Sequence, residues 1–353
     1  MSVISYSSEL PFFSIGNDDF LNQMNNNSSL STFVFNPLDL IHDKYTSELD
    51  VNQSSLFSAY QNIPKTAYAY VDSLNLKNTG TSTFSILNMN IRSIPTNLQI
   101  FVDSFLIHAG IKIDVLAFTE TRLDHDINKL YQLPGYNMFT KSRNRYGGGV
   151  ALYFSDYHHS TLIEQFCCVE SFIECLGVEH IIHNKKYLCI CIYRPPGGCM
   201  NSFMTVLNDL LAVAYNKQYS SIYLCGDFNV DLVKYKDNIV SDFINLMFSF
   251  SLFPLITRPT RITDTTATLL DHVWTSHPEL NINNYIIKTD ITDHYPVISL
   301  FNMSNQKFKS TYIKKRMITE VALNKFANDL SQVTWATVME SVCPNVAYNI
   351  FFP

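Results

Sequence analysis

Ser221-Ile222-Tyr223-Leu224-Cys225-Gly226-Asp227-Phe228-Asn229 decides the reading of this chain. An apolar, β-forming run meets a glycine, an acid and an amide, which is how a buried strand ends when it hands polar groups to a site. The figure recurs. Phe84-Ser85-Ile86-Leu87-Asn88-Met89-Asn90 closes on an amide, Asp114-Val115-Leu116-Ala117-Phe118-Thr119-Glu120 closes on a carboxylate, and Thr292-Asp293-His294 stands before Tyr295-Pro296-Val297-Ile298. Short buried strands that each deliver a polar group where they stop build a hydrolytic metal site on a sheet.

Outward from these runs, short β-branched and aromatic stretches alternate with a few helical ones from Phe84 to Phe301. That alternation predicts an α/β sandwich and not a repeat array. Strands are predicted at 84–91, 115–120, 149–154, 172–179, 187–193, 222–228, 269–275, 285–288 and 297–301. Helices are predicted around Ile100 to Ile107, over 203–215, and where Ile239, Phe243, Ile244, Met247 and Phe248 recur at helical spacing. Their apolar stripes read as core. Residues 1–80 are Ser/Asn-rich without a sustained period, so a flexible leader is expected before a globular domain at 81–303. Residues 304–353 are expected to form a basic linker (Lys307, Lys309, Lys314, Lys315, Arg316) and one amphipathic helix through Leu323, Phe326, Leu330 and Trp335.

The chain has 353 residues, 46% of them hydrophobic and 16% charged, enough to bury a large core. A net charge of -6 supplies no global field toward nucleic acid, so phosphate binding must come from local basic groups or a bound cation. The eight cysteines include no Cys-x-x-Cys pair and several lie in strand-like runs, which reads as reduced core thiols in a nuclear or cytoplasmic protein. The start of the chain lacks a basic stretch followed by an apolar one, and no apolar run nears the ~20 residues that span a bilayer. The expectation is a soluble protein that is not secreted and contacts no membrane.

Phosphodiester hydrolysis needs a cation on the phosphate, an activated water in line, and stabilisation of the leaving oxygen. Glu120 offers a hard carboxylate for Mg2+, with Asn90 and Asp293 placed to complete or orient its shell. Asp227 and Asn229, two apart on a segment read as extended, point to one side as an acid/base and amide pair. Asp271 can take the Nδ1 proton of His294 and favour its charged form. Tyr193 ends another strand with a phenolic donor, and Arg194 beside it is a candidate phosphate contact. Lys141, Arg143 and Arg145 precede Gly147-Gly148-Gly149, a glycine run read as a turn because no Lys-Ser/Thr follows as a P-loop requires. Arg143 and Arg145, and likewise Arg258 and Arg261, are candidate contacts to a DNA backbone.

At Asn90-Ile91-Arg92-Ser93, Thr119-Glu120-Thr121-Arg122-Leu123, Gly135-Tyr136, Arg145-Tyr146-Gly147-Gly148-Gly149-Val150-Ala151, Tyr193-Arg194-Pro195-Pro196, Gly226-Asp227-Phe228-Asn229, Arg258-Pro259-Thr260-Arg261 and Thr292-Asp293-His294, the chain resembles the endonuclease/exonuclease/phosphatase superfamily. Within it, the match is nearest to the endonuclease domain of non-LTR (LINE-type) retrotransposons, over about Phe84 to Phe301. The resemblance implies a four-layered α/β sandwich of two facing mixed sheets flanked by helices, with the site at one end between them. It also implies Glu120 as principal Mg2+ ligand, with Mn2+ as the alternative ion and Asn90 close by, and Asp293 near the metal. Asp227 and Asn229 would position and activate the water, Tyr193 and His294 would meet the phosphate, and Asp271 would support His294. Thr292 stands where the family usually has Ser and keeps the hydroxyl.

The implied activity is nicking of DNA to leave a 3′-hydroxyl. A reverse transcriptase domain is expected in an intact element, and the chain stops at Pro353 before one. Two other readings compete. One is a phosphoesterase of the same fold acting on a small phosphoester such as a phosphoinositide; the other is a non-catalytic relic that folds and binds without cutting.

Overall fold

The computed structural model describes residues 64–74, 83–124, 130–263, 265–304 and 320–332, and parts of 334–346. Residues 1–63 and 75–80 of the expected leader, and the basic segment from Lys307 to Arg316, lie outside the described residues.

Two seven-stranded mixed sheets carry the domain. The first runs in the order β1 (Thr66–Tyr70), β15 (Asn281–Lys288), β16 (Val297–Asn302), β2 (Thr83–Asn90), β3 (Val115–Thr119), β5 (Val150–Ser155), β4 (Tyr136–Lys141). The second runs β11 (Phe253–Pro254), β14 (Asp271–Thr275), β10 (Ser221–Asp227), β9 (Lys185–Tyr193), β8 (Glu174–Ile182), β6 (His159–Leu162), with β7 (Cys168–Val169) also on β8. A small hairpin pairs β12 (Arg261–Ile262) with β13 (Ala267–Thr268).

Period-2 alternation assigns the layers. On β2, Phe84 and Ile86 face the second sheet, while Leu87 and Met89 pack under α1, which begins at Ile94–Phe101 and continues as a π-helix over Val102–His108. On the second sheet Tyr223 faces inward, its ring 5.7 Å from Phe84 and 4.7 Å from Phe301. Trp274 faces outward, 5.7 Å from Phe243 of α3 (Asn238–Ser249), which lies beside α2 (Met200–Asn216). The layers are therefore α1, first sheet, second sheet, and α2 with α3. Each buried side chain of this size contributes roughly 1.5–3 kcal/mol. The fold is the α/β sandwich of two facing mixed sheets flanked by helices that the sequence implies. Among the described residues, no helix is long and apolar enough to cross a membrane.

Two expectations are corrected. Thr66–Tyr70, inside the expected leader, forms β1, parallel to β15, and Tyr68 is buried with its hydroxyl donating 2.9 Å to the Pro259 carbonyl. Its partners lie roughly two hundred residues away, so no local period announces it. The expected single helix through Trp335 is two pieces, α4 (Glu320–Ser331) and α5 (Ala336–Met339), and Leu323 and Phe326 on α4 are exposed.

Candidate active site

Strand direction brings the polar ends together. β2 and β3 are parallel, as are β9 and β10, so each pair finishes at one end. β14 is antiparallel to β10 and β16 to β2, so these strands begin where their neighbours finish. Asn90, Tyr193 and Asp227 close β2, β9 and β10; Glu120 follows β3, Asp271 opens β14, and His294 lies in the loop entering β16. Along the inward face of β2 the residues change from Phe84 and Ile86 to Asn88 and Asn90, so the apolar seam becomes polar at this end.

Gly226 makes the turn into Asp227 feasible. Its φ of +144° and the Ile192 carbonyl against its Cα leave no place for a Cβ. The Asn90 side chain then joins the two sheets, its Nδ2 donating 2.9 Å to Glu120 Oε1 and 2.9 Å to Asp227 Oδ2. Tyr193 donates its hydroxyl to Glu120 Oε1 at 3.3 Å. Burial, and then the Glu120 and Asp227 carboxylates, hold its pKa well above the usual phenol range, so it stays a donor.

Asp271 lies directly across from Asp227 in the β10–β14 register and is fully buried. Its Oδ2 is 2.9 Å from His294 Nδ1 and accepts the Thr260 hydroxyl at 2.7 Å, while its Oδ1 is buried without a partner. Burial pushes the Asp227 pKa up, Asp271 pushes it further, and His294 and Asn90 oppose them, leaving it at about 7. Burial works to lower the His294 pKa, but Asp271, Asp227 and Asp293 outweigh it and raise it to about 9. The imidazole is therefore a cation at neutral pH. Ligand atoms of Asp227, Asp271 and His294 lie within 4.8 Å of one another. The carboxylates of Asp227 and Asp271, with Asp271 Oδ1 buried and unpartnered, are hard donors of the kind a divalent cation takes, and Glu120 is joined to Asp227 through the Asn90 bridge.

A sequence model of the Endonuclease/Exonuclease/phosphatase family matches residues 88–294. The chain belongs to that family. Family members hydrolyse phosphodiester bonds, and this protein is a hydrolase of that class. Similar solved structures include the endonuclease domain of TRAS1, a telomere-specific non-LTR retrotransposon, at 14% identity and a TM-score of 0.49 over 64% of this chain and 100% of that one. The 3′-5′ exonuclease NExo from Neisseria meningitidis is 15% identical with a TM-score of 0.47, over 62% of this chain and 100% of its own. An AP endonuclease from Archaeoglobus fulgidus is 16% identical with a TM-score of 0.45, over 62% and 99%. No curated protein matches the chain.

Not every residue expected at the site of this family member takes its expected place. Asp293 is held in ion pairs: Arg92 Nη1 lies 3.0 Å from its Oδ1, and Arg261 meets its Oδ2 through Nε at 2.9 Å and Nη2 at 2.8 Å. Burial alone would raise its pKa, but the Arg261 bond and the His294 and Arg92 charges lower it. β10 ends at Asp227 and Asn229 sits at φ +46°, so the two converge through a left-handed turn and not through strand alternation. Asn229 N–H donates 3.1 Å to Asp227 Oδ1, and its side chain donates 2.8 Å to the Arg194 carbonyl. Asn229 thus fixes Asp227 in place.

Arg194, a candidate DNA contact, is 9% exposed and bonded within the domain. Its guanidinium donates to the Asn229 carbonyl at 3.1 Å and the Gly198 carbonyl at 3.0 Å, and lies over the Phe203 ring. Arg143 is engaged by the Gly147 carbonyl and Glu174. Arg258 lies over the Tyr68 ring. Arg145 stands exposed, stacked 4.9 Å over the exposed Tyr146 ring.

Sequence reasoning missed four residues that serve this site. Thr260 fixes Asp271, Arg92 grips Asp293, Arg122 meets Glu120 Oε2 at 3.2 Å, and Glu174 is buried beside Tyr193 in the β8–β9 register. The signal for Glu174 was a lone charge inside the run Phe172-Ile173-Glu174-Cys175-Leu176. A buried strand does not carry such a charge without a partner.

Proposed function

We propose that the protein is a Mg2+-dependent DNA endonuclease that nicks one strand of target DNA and leaves a 3′-hydroxyl, as target-primed integration requires. The observation that carries this reading is Asn90 bridging Glu120 and Asp227 across the sheets, with the Asp271–His294 pair alongside. Glu120 and Asn90 would hold the ion, with Mn2+ able to replace Mg2+. When bound, it supplies positive charge to the scissile phosphate.

The chain's own groups do the rest. Asp227, with a pKa of about 7, is poised to accept a proton from the attacking water, and the Asn229 N–H keeps its carboxylate aimed. His294, with Nδ1 directed to Asp271, presents its protonated Nε2 to a phosphoryl oxygen. Tyr193 adds a neutral donor on the Glu120 side. Arg145 with Tyr146, and Arg92 and Arg261 at the rim, supply local cations and a stacking ring for a polyanion that the net charge of -6 would not attract.

Purified protein incubated with supercoiled plasmid tests the reading. Nicked circles are expected with Mg2+, none with EDTA, and none from Asp227→Ala or His294→Ala. Plasmid left intact by the wild type, or cut equally by both variants, would sink the proposal. Faster turnover of a phosphoinositide than of DNA would move the substrate to a small phosphoester.

A further inference from the structure

Three acidic side chains among the described residues are buried: Asp227, Asp271 and Glu174. The first two belong to the site just described. Glu174 opens β8 and is paired in register with Tyr193, yet it makes no contact to Glu120, Asp227 or His294 among the hydrogen bonds of the site.

Both of its oxygens hold one loop. Glu174 Oε2 accepts the Gly149 N–H in a short bond, and Oε1 lies 3.1 Å from Arg143 Nη1. Arg143 Nε also donates 3.0 Å to the Gly147 carbonyl, so the loop from 143 to 149 is anchored at both ends. That loop in turn holds the segment carrying Glu120: Thr121 N–H donates 3.1 Å to the Gly149 carbonyl, and Arg122 N–H donates 2.9 Å to the Gly148 carbonyl.

Glu120 and Arg122 both sit at φ +51°, a left-handed conformation that neither side chain favours. Such a conformation persists only where its surroundings impose it, and the two bonds flanking Thr121 are in place to do so. The glycines are required because there is no room for more. A Cβ on Gly149 would strike Thr121 Oγ1, and one on Gly148 would strike Glu174 Oε1.

We infer that Glu174, with Arg143, is a positioning residue for the Glu120 carboxylate and so governs how tightly the site takes a divalent cation. The inference rests on the reading of Glu120 as a metal ligand. Glu174 acts through Gly149 and Thr121 without touching the ion. Removing a group bonded directly to a metal ligand costs about 10–100-fold in metal affinity, which bounds the effect expected of Glu174.

The test is a Mn2+ titration followed by the electron paramagnetic resonance signal of free Mn2+. Glu174→Met fills the same space and accepts no hydrogen bond; it is expected to bind Mn2+ about 10–100-fold more weakly than the wild type. Glu174→Gln keeps an acceptor for the Gly149 N–H and is expected to recover most of that loss. A Glu174→Met protein with wild-type Mn2+ affinity, even at a lowered melting temperature, overturns the inference, because a purely structural role would affect stability alone. Should that variant not fold, Arg143→Met decides: it is expected to weaken Mn2+ binding by about tenfold, and unchanged affinity overturns the inference. If Glu120→Gln binds Mn2+ like the wild type, the metal assignment itself fails, a result distinct from failure at Glu174.

Discussion

His294 Nδ1 and Asp271 Oδ2 stand 2.9 Å apart where both side chains are almost wholly shielded from water. The pair joins the two sheets, since Asp271 opens a strand of the second and His294 enters a strand of the first. On the proposed reading, the charged imidazole at this junction is the electrophile for a phosphoryl oxygen, and its protonation sets the alkaline limit of the chemistry.

With the His294 pKa raised to about 9 from 6.5, turnover should hold through neutral pH and decline as pH rises through about 9. The sign for folding is the same. A raised folded-state pKa contributes stability that is fully present below 6.5 and is lost as pH rises through about 9. Asp271→Asn removes the largest influence holding the proton on, so the alkaline limb should move to lower pH while kcat falls by about 10²-fold. A pH–rate profile of the two proteins checks this, and coincident limbs would count against the pair.

Thr260→Val should keep the fold and lower kcat by roughly tenfold. The hydroxyl donates 2.7 Å to Asp271 Oδ2 and accepts the Asp271 N–H at 3.1 Å, so its loss leaves the carboxylate less firmly aimed at His294. Steady-state kinetics with KM near the wild-type value and a reduced kcat is the expected outcome.

Arg194→Ala and Arg145→Ala should fail in opposite ways. Arg194 is an internal brace on the Asn229 and Gly198 carbonyls, so its loss should lower the melting temperature and leave the salt dependence of DNA binding untouched. Arg145 is exposed, and its loss should reduce the slope of log affinity against log salt by about 1 with little effect on stability. Binding measured at several salt concentrations, with thermal melts, separates them.

Gly226→Ala should destabilise the domain by more than about 2 kcal/mol, because the added methyl meets backbone at Ile192 and the φ of +144° suits no other residue. Urea unfolding would show it as a lowered midpoint. A midpoint equal to the wild type would mean that β9 and β10 can separate without cost.

The strands that end at or beside Asn90, Glu120, Tyr193 and Asp227 are legible in the sequence because each breaks an apolar pattern abruptly. Which of these residues meet could not be read locally. The Asn90 bridge depends on the order β16-β2-β3 facing β14-β10-β9, a long-range pairing. Asp293 shows what motif reading leaves out: its place beside His294 suggests a metal ligand, and its ion pairs with Arg92 and Arg261, one before and one after most of the domain, carry no local signal. The edge strands escaped for a different reason. Tyr136–Lys141 and His159–Leu162 pair on one side only and are partly exposed, so their sequences carry no clean alternation.

The strand Thr66–Tyr70 closes the outer margin of the first sheet by lying along Asn284 to Lys288. Recombinant versions trimmed to the motif-bearing stretch would strip away that cover and leave a row of unpaired amides and carbonyls on β15, an invitation to intermolecular pairing and precipitation. Work on the isolated domain should therefore retain the polypeptide from before Pro64, or insolubility will be mistaken for inactivity.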